Sequence, residues 1–157
     1  MKSIWAAVFS LVLISEGRGA RAAPPAEHAP GQYRVSGIRP RFFLLESGVL
    51  ETEEASRAGG PNMMVKAEAM LVLVDLVGPQ FPVGKGGALD FMATSGKTRL
   101  LHRWQSLEQN YVSNSGHVTL PFLVYGVGCE PIKISATLVV AGKRSAQTVV
   151  IPLACGE

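Results

Sequence analysis

The sequence predicts an all-β chain, an immunoglobulin-like antiparallel β-sandwich of about seven strands. Three observations carry this expectation. Short apolar or alternating runs recur along the chain, each of strand length. Clusters of Gly, Pro, Asn and Ser (GGPN, GPQFPVGKGG, SNSG, AGKR) separate them. No long amphipathic helical period interrupts the series. The inter-sheet cysteine and tryptophan pattern of a true immunoglobulin domain is absent, so the expectation concerns architecture alone, and architecture does not imply function.

Before the strands comes a targeting segment. A basic start at Met1-Lys2-Ser3 leads into the apolar run Ile4 to Ile14 and then into SEGRGARAAPP. That is the layout of a secretory signal peptide, and the run is well short of the ~20 residues a membrane span needs. Ala20 and Ala22 fit the small-residue cleavage rule, so residues 1–22 are assigned to the signal. Residues 23–32 (APPAEHAPGQ) read as a flexible leader and 33–157 as a single domain. No cysteine stands immediately after the cut to take a lipid anchor, and no N-x-S/T sequon occurs. Both fit a bacterial exported protein, secreted or periplasmic, with no span in its mature chain.

The charge argument changes with cleavage. The chain holds 15 basic and 12 acidic residues, net +3. The signal removes Lys2, Arg18, Arg21 and Glu16, which leaves 12 basic and 11 acidic, net +1. No basic stripe of the nucleic-acid type remains. Arg39-Pro40-Arg41 and Lys97, Arg99 and Arg103 are local concentrations that read as solvated faces.

The strands follow in order. Tyr33 to Ile38 is short. Phe42 to Leu45 and Val49-Leu50 are separated by Gly48. Lys66 to Val77 (KAEAMLVLVDLV) is the longest apolar run. Ala88 to Ala93 and Thr98 to Trp104 flank a turn at Ser95-Gly96 and predict a hairpin. His117 to Tyr125, Ile132 to Val140 and Gln147 to Leu153 alternate. Ser106 to Tyr111 is compatible with one helical turn, and the loop 46–65 is long.

The last two runs predict a C-terminal hairpin turning at Gly142-Lys143, with Ala141 opposite Arg144 and paired numbers summing to 285. Its open end brings the chain's two cysteines, Cys129 and Cys155, within one residue of register. In an exported protein they are expected to form a structural disulfide that closes the hairpin. A redox pair would favour Cys-x-x-Cys at a helix start. Zinc would need further ligands.

Catalytic motifs are mostly absent. Ser95-Gly96-Lys97-Thr98 resembles the end of a phosphate loop, but Phe91 stands where its first glycine is required, and the strand-to-helix context is missing. Gly84 to Gly87 fits no dinucleotide pattern. His28, His102 and His117 have no metalloprotease spacing. A triad assembled in space would draw on Asp75, Asp90, His102 and His117. Met63, Met64, Met70 and Met92 raise soft copper ligation in an exported chain. Glu51, Glu53 and Glu54 read as a solvated acidic loop rather than a calcium site. Trp104, Tyr111 and Tyr125 are the material for an aromatic platform. No catalytic residue, metal ligand or cofactor is assigned.

One feature points beyond folding. In KAEAMLVLVDLV both strand faces are apolar, Leu71 and Leu73 on one and Met70, Val72, Val74 and Leu76 on the other. A sandwich strand ordinarily alternates apolar and polar. Phe122/Val124 and Leu123/Tyr125 repeat the pattern. The extra face is covered by the long loop or meets a partner, and Met70, Val72, Val74 and Leu76 are assigned as the partner-binding face. The expected function is therefore a non-enzymatic binding or accessory module, with another exported or envelope protein as partner. A small periplasmic hydrolase and a periplasmic copper carrier are the alternatives.

Overall fold

Eight β-strands alternate with turns in a computed structural model that describes residues 32–44, 47–52, 67–108 and 115–153. They are β1 (Arg34–Leu44), β2 (Val49–Leu50), β3 (Ala67–Val77), β4 (Ala88–Ser95), β5 (Thr98–Ser106), β6 (His117–Tyr125), β7 (Ile132–Val140) and β8 (Lys143–Ile151). Two four-stranded sheets result, ordered β2-β1-β3-β6 and β5-β4-β7-β8. Every pairing is antiparallel. No helix among the described residues is long and apolar enough to cross a membrane. The signal and leader assignments, most of the 46–65 loop, the turn beyond residue 108 and Cys155 lie outside the described residues.

The expectation of an all-β chain in antiparallel sheets holds. Eight strands form where about seven are expected, and β1 (Arg34–Leu44) runs unbroken across the two short runs that the sequence separates there. Arg39-Pro40-Arg41 does not break it. Pro40 pairs with Val72 of β3, while β2 pairs only with Phe43 and Leu44. The proline therefore sits where the outer side of β1 has no ladder to lose. Pro121 lies in β6, the other edge of the same sheet. An imide nitrogen cannot donate to a ladder, so proline is tolerated at such edges.

Between the sheets lies one core. β3 contributes Met70, Val72, Val74 and Leu76, each 0 % exposed. Leu120, Phe122 and Val124 of β6 lie beside them. The facing sheet supplies Leu89, Phe91 and Ala93 from β4, and Ile132, Ile134, Ala136 and Leu138 from β7. Phe91 and Phe122 stack across the gap, with ring centroids 4.1 Å apart and an interplanar angle of 1°. Burying one such side chain contributes about 1.5–3 kcal/mol, so these rows dominate the stability of the sandwich.

Both predicted hairpins form, with one adjustment. Ser95 pairs with Thr98 around Gly96-Lys97, and Gly96 takes φ 53°. Positive φ at the first central position alone fits a type II′ turn. The phosphate-loop resemblance is thus a hairpin turn. In the C-terminal hairpin Val140 pairs with Lys143, so the turn residues are Ala141-Gly142, not Gly142-Lys143. Both have positive φ, 48° and 77°, as a type I′ turn demands. The turn moves by one residue and paired numbers by two, so every side chain keeps its predicted face. Ile151 is buried, and Leu153, on the same face beyond the strand end, is nearly so.

Candidate functional site

The anomaly in β3 resolves into an inner and an outer face. The sequence reading assigns the partner face to Met70, Val72, Val74 and Leu76. The structure places these four side chains in the inter-sheet core, so they are not a surface. The physical reason is the facing sheet, which covers that side completely. Among the described residues, the apolar surface left uncovered is the other side of the same strand.

Register builds that outer face row by row. Asp75 lies between Gly37 of β1 and Thr119 of β6. In the next row Leu73 lies between Arg39 and Pro121, and then Leu71 between Arg41 and Leu123. In the last, Ala69 lies between Phe43 and Tyr125, with Leu50 beyond Phe43. The face thus grades from polar to apolar along the strands.

Its polar end is tied up internally. Arg39 donates twice to the Asp75 carboxylate, Nε to Oδ2 at 2.6 Å and Nη2 to Oδ1 at 2.7 Å. Thr119 Oγ1 donates to Oδ1 at 2.7 Å. Burial by itself would raise the pKa of Asp75. The hydrogen bonds from Arg39 and Thr119, with the charges of Arg39 and His117, outweigh it and hold the carboxyl below its ordinary value. Gly37 makes room for this carboxylate, since a Cβ there would stand 3.2 Å from Oδ2. Arg41 is also committed: its Nε donates to the Glu51 carbonyl at 2.7 Å, which pins the chain after β2. Neither arginine of the Arg39-Pro40-Arg41 run is therefore a spare anion ligand. Glu51 is half-buried rather than solvated, its Oε2 is shielded without a hydrogen-bond partner, and desolvation raises its pKa.

At the apolar end the sheet forms a groove of about 750 Å³. Leu71 and Leu123 line its floor, Phe43, Leu50, Ala69 and Tyr125 the next row, and Gly126 and Val127 the rim beyond β6. Leu123 is 45 % exposed and Tyr125 64 %. No charged side chain is among these lining residues. Volume and lining both fall in the range of small-molecule sites. Tyr125 belongs to the aromatic platform suggested by the sequence, but Trp104 is on the other sheet and Tyr111 is outside the described residues.

That other sheet carries a second constellation. Asp90 and Met92 of β4 lie opposite Trp104 and His102 of β5. His102 Nε2 and Asp90 Oδ1 are 2.8 Å apart. This meets the distance condition for a histidine–carboxylate dyad. The pair stands on an exposed face, and no hydroxyl hydrogen-bonds to His102 among the described residues. Among the described residues, the nucleophile that a hydrolytic dyad would activate is not held against this imidazole. Among the described residues no three His, Cys, Asp or Glu side chains cluster as metal ligands. His117 lies in β6, in the other sheet, and Met63 and Met64 are outside the described residues.

Signals for the groove were present in the sequence. Asp75 shares strand parity with Leu71 and Leu73, and Thr119 shares it with Leu123 and Tyr125. A charged or hydroxyl residue on a face marks that face as outer. No protein-family model matches the chain, and no curated protein matches its sequence.

Proposed function

We propose that this chain is an exported, non-enzymatic binding module whose site is the apolar groove on the outer face of the β2-β1-β3-β6 sheet. One observation carries the reading: about 750 Å³ of concave surface lined by Phe43, Leu50, Leu71, Leu123, Tyr125 and Val127 with no charged side chain. An uncharged, concave, apolar lining selects an elongated apolar group, such as an acyl chain, through burial of its methylenes. A flat protein–protein patch would need about 800 Å² on each side and gains little from a groove.

The export reading rests on the basic start, the apolar run Ile4 to Ile14 and the Ala20/Ala22 cleavage pattern. It makes 23–32 a leader, 33–157 one domain, and the location secreted or periplasmic. The same proposal takes the sandwich as immunoglobulin-like. Its support is the strand order, in which β1-β3-β6 faces β4-β7-β8 and the extra strand β5 joins the second sheet. It also takes Cys129 and Cys155 as a disulfide closing the β7–β8 hairpin. Among the described residues no cysteine is free, and the β7–β8 register, in which paired numbers sum to 283, would bring position 129 within one residue of 155.

Binding of 1-anilinonaphthalene-8-sulfonate, displaced by decanoate, tests the groove. Wild type is expected to bind and Leu71→Lys to lose at least about tenfold in affinity, the equivalent of ~1.4 kcal/mol. Val150→Lys, at an exposed position on the opposite sheet, should bind as wild type does. Absence of binding by wild type, or equal affinity for the two lysine variants, would overturn the assignment.

A further inference from the structure

The second constellation does not belong to the groove, and its chemistry is different. Met92 and His102 are direct cross-strand partners on the outer face of the β5-β4-β7-β8 sheet. Directly opposed Cβ atoms lie about 4.5–5.5 Å apart, so a thioether and an imidazole on such a pair can reach one ion between them. Met92 is 39 % exposed, which is unusual for a side chain that ordinarily fills core gaps. Met70, in the core, shows the ordinary use.

Three further features turn this pair toward ligation. Asp90, the diagonal neighbour, holds His102 through Nε2 at 2.8 Å. With Nε2–H donating to Asp90, Nδ1 carries the lone pair, and a carboxylate on the remote nitrogen fixes the tautomer and orients a ligating imidazole. Trp104 completes a two-by-two block with Asp90, Met92 and His102, and the residue is 60 % exposed. An aromatic face beside a cation adds to its binding. The block stands on two paired strands rather than on loops, which keeps its geometry rigid.

We propose that Met92 and His102 form a soft-cation site that takes a monovalent d10 ion of the Cu(I) class. Thioether and imidazole donors suit such an ion and suit zinc or calcium poorly. Asp90 is a positioning residue, and Trp104 lies at the edge of the site. The proposal does not rest on the groove, which lies on the other sheet.

Ag(I), which needs no reductant, is the probe. Native mass spectrometry of the whole protein should show one Ag(I) per chain, and the ring proton signals of His102 should shift on addition. Met92→Leu and His102→Gln should each weaken binding by tenfold or more. Asp90→Asn should weaken it by about 10–100-fold while leaving the stoichiometry at one. All three positions are exposed or half-exposed, and circular dichroism checks that each variant keeps its sheets. Met63→Leu/Met64→Leu should bind as wild type does. Failure of wild type to bind, unchanged affinity in Met92→Leu, or loss of binding in the Met63/Met64 variant would overturn the site.

Discussion

Asp75 is the residue whose surroundings make the sharpest demand. Its carboxylate accepts two hydrogen bonds from Arg39 and one from Thr119. Because its folded pKa is lowered, the stabilisation is present above the unfolded value of about 3.9 and is lost as pH falls through the folded one. Asp75→Asn is therefore expected to cost about 0.5–1.5 kcal/mol near neutral pH, a figure kept small by partial exposure. The gap to wild type should close on acidification; urea melts at pH 7 and pH 3 measure it. Ala141 makes a different demand. It holds φ 48° in the hairpin turn, a region that costs an L-residue about 1–2 kcal/mol. Ala141→Gly should relieve the strain, offset in part by the greater freedom of glycine when unfolded, and raise stability by up to ~1 kcal/mol. Ala141→Val should lower it.

The strand edges matter at the scale of elements. β6 carries Pro121, and the open side of β1 carries Pro40. In β5, Arg103 pairs with Phe91, whose side chain points into the core, so the arginine occupies the inward-facing side of an edge strand and is exposed there. Proline and inward charge are the common devices that stop sheets joining edge to edge. Pro121→Val and Arg103→Val should each increase self-association, read by light scattering at rising concentration, without lowering the melting temperature by more than a few degrees. These devices also argue that ligands meet this protein through a face and not by adding a strand. At this scale the sequence was informative where alternation was strict. In β7 and β8 the predicted faces are the observed ones, because period two leaves no other choice once a turn is placed. β1 was harder to read. Arg39-Pro40-Arg41 resembles a break, and only the sheet order reveals that Pro40, paired with Val72 on one side, has no strand on the other.

At the scale of the whole molecule, the question was which side of β3 meets the rest of the protein. Both sides are apolar, so hydrophobicity alone cannot decide; the packing of the second sheet does. It buries Met70, Val72, Val74 and Leu76 and leaves Leu71 to the groove. Sequence made the excess of apolar surface legible but assigned it to the wrong face. The parity of Asp75 and Thr119 held the better signal. The Met92–His102 block was less legible still, since it depends on the register of β4 against β5 and a slip of either strand by one residue would turn its member of the pair inward. Met70→Ala, in the core, should cost about 2–5 kcal/mol, whereas Leu71→Ala should cost far less and weaken ligand binding; paired urea melts and binding curves separate the two roles. If Cys129 and Cys155 form the proposed hairpin disulfide, Cys129→Ser/Cys155→Ser should lose roughly 3–3.5 kcal/mol by the chain-entropy estimate.

The central claim is that the outer groove, and not the inter-sheet core, receives an apolar ligand. Methyl-labelled NMR with decanoate addresses it directly. The account predicts saturable shifts confined to Leu50, Leu71, Leu123 and Val127, with Val72, Val74 and Leu138 unmoved. Shifts centred on those core methyls, or none at any methyl, would contradict it.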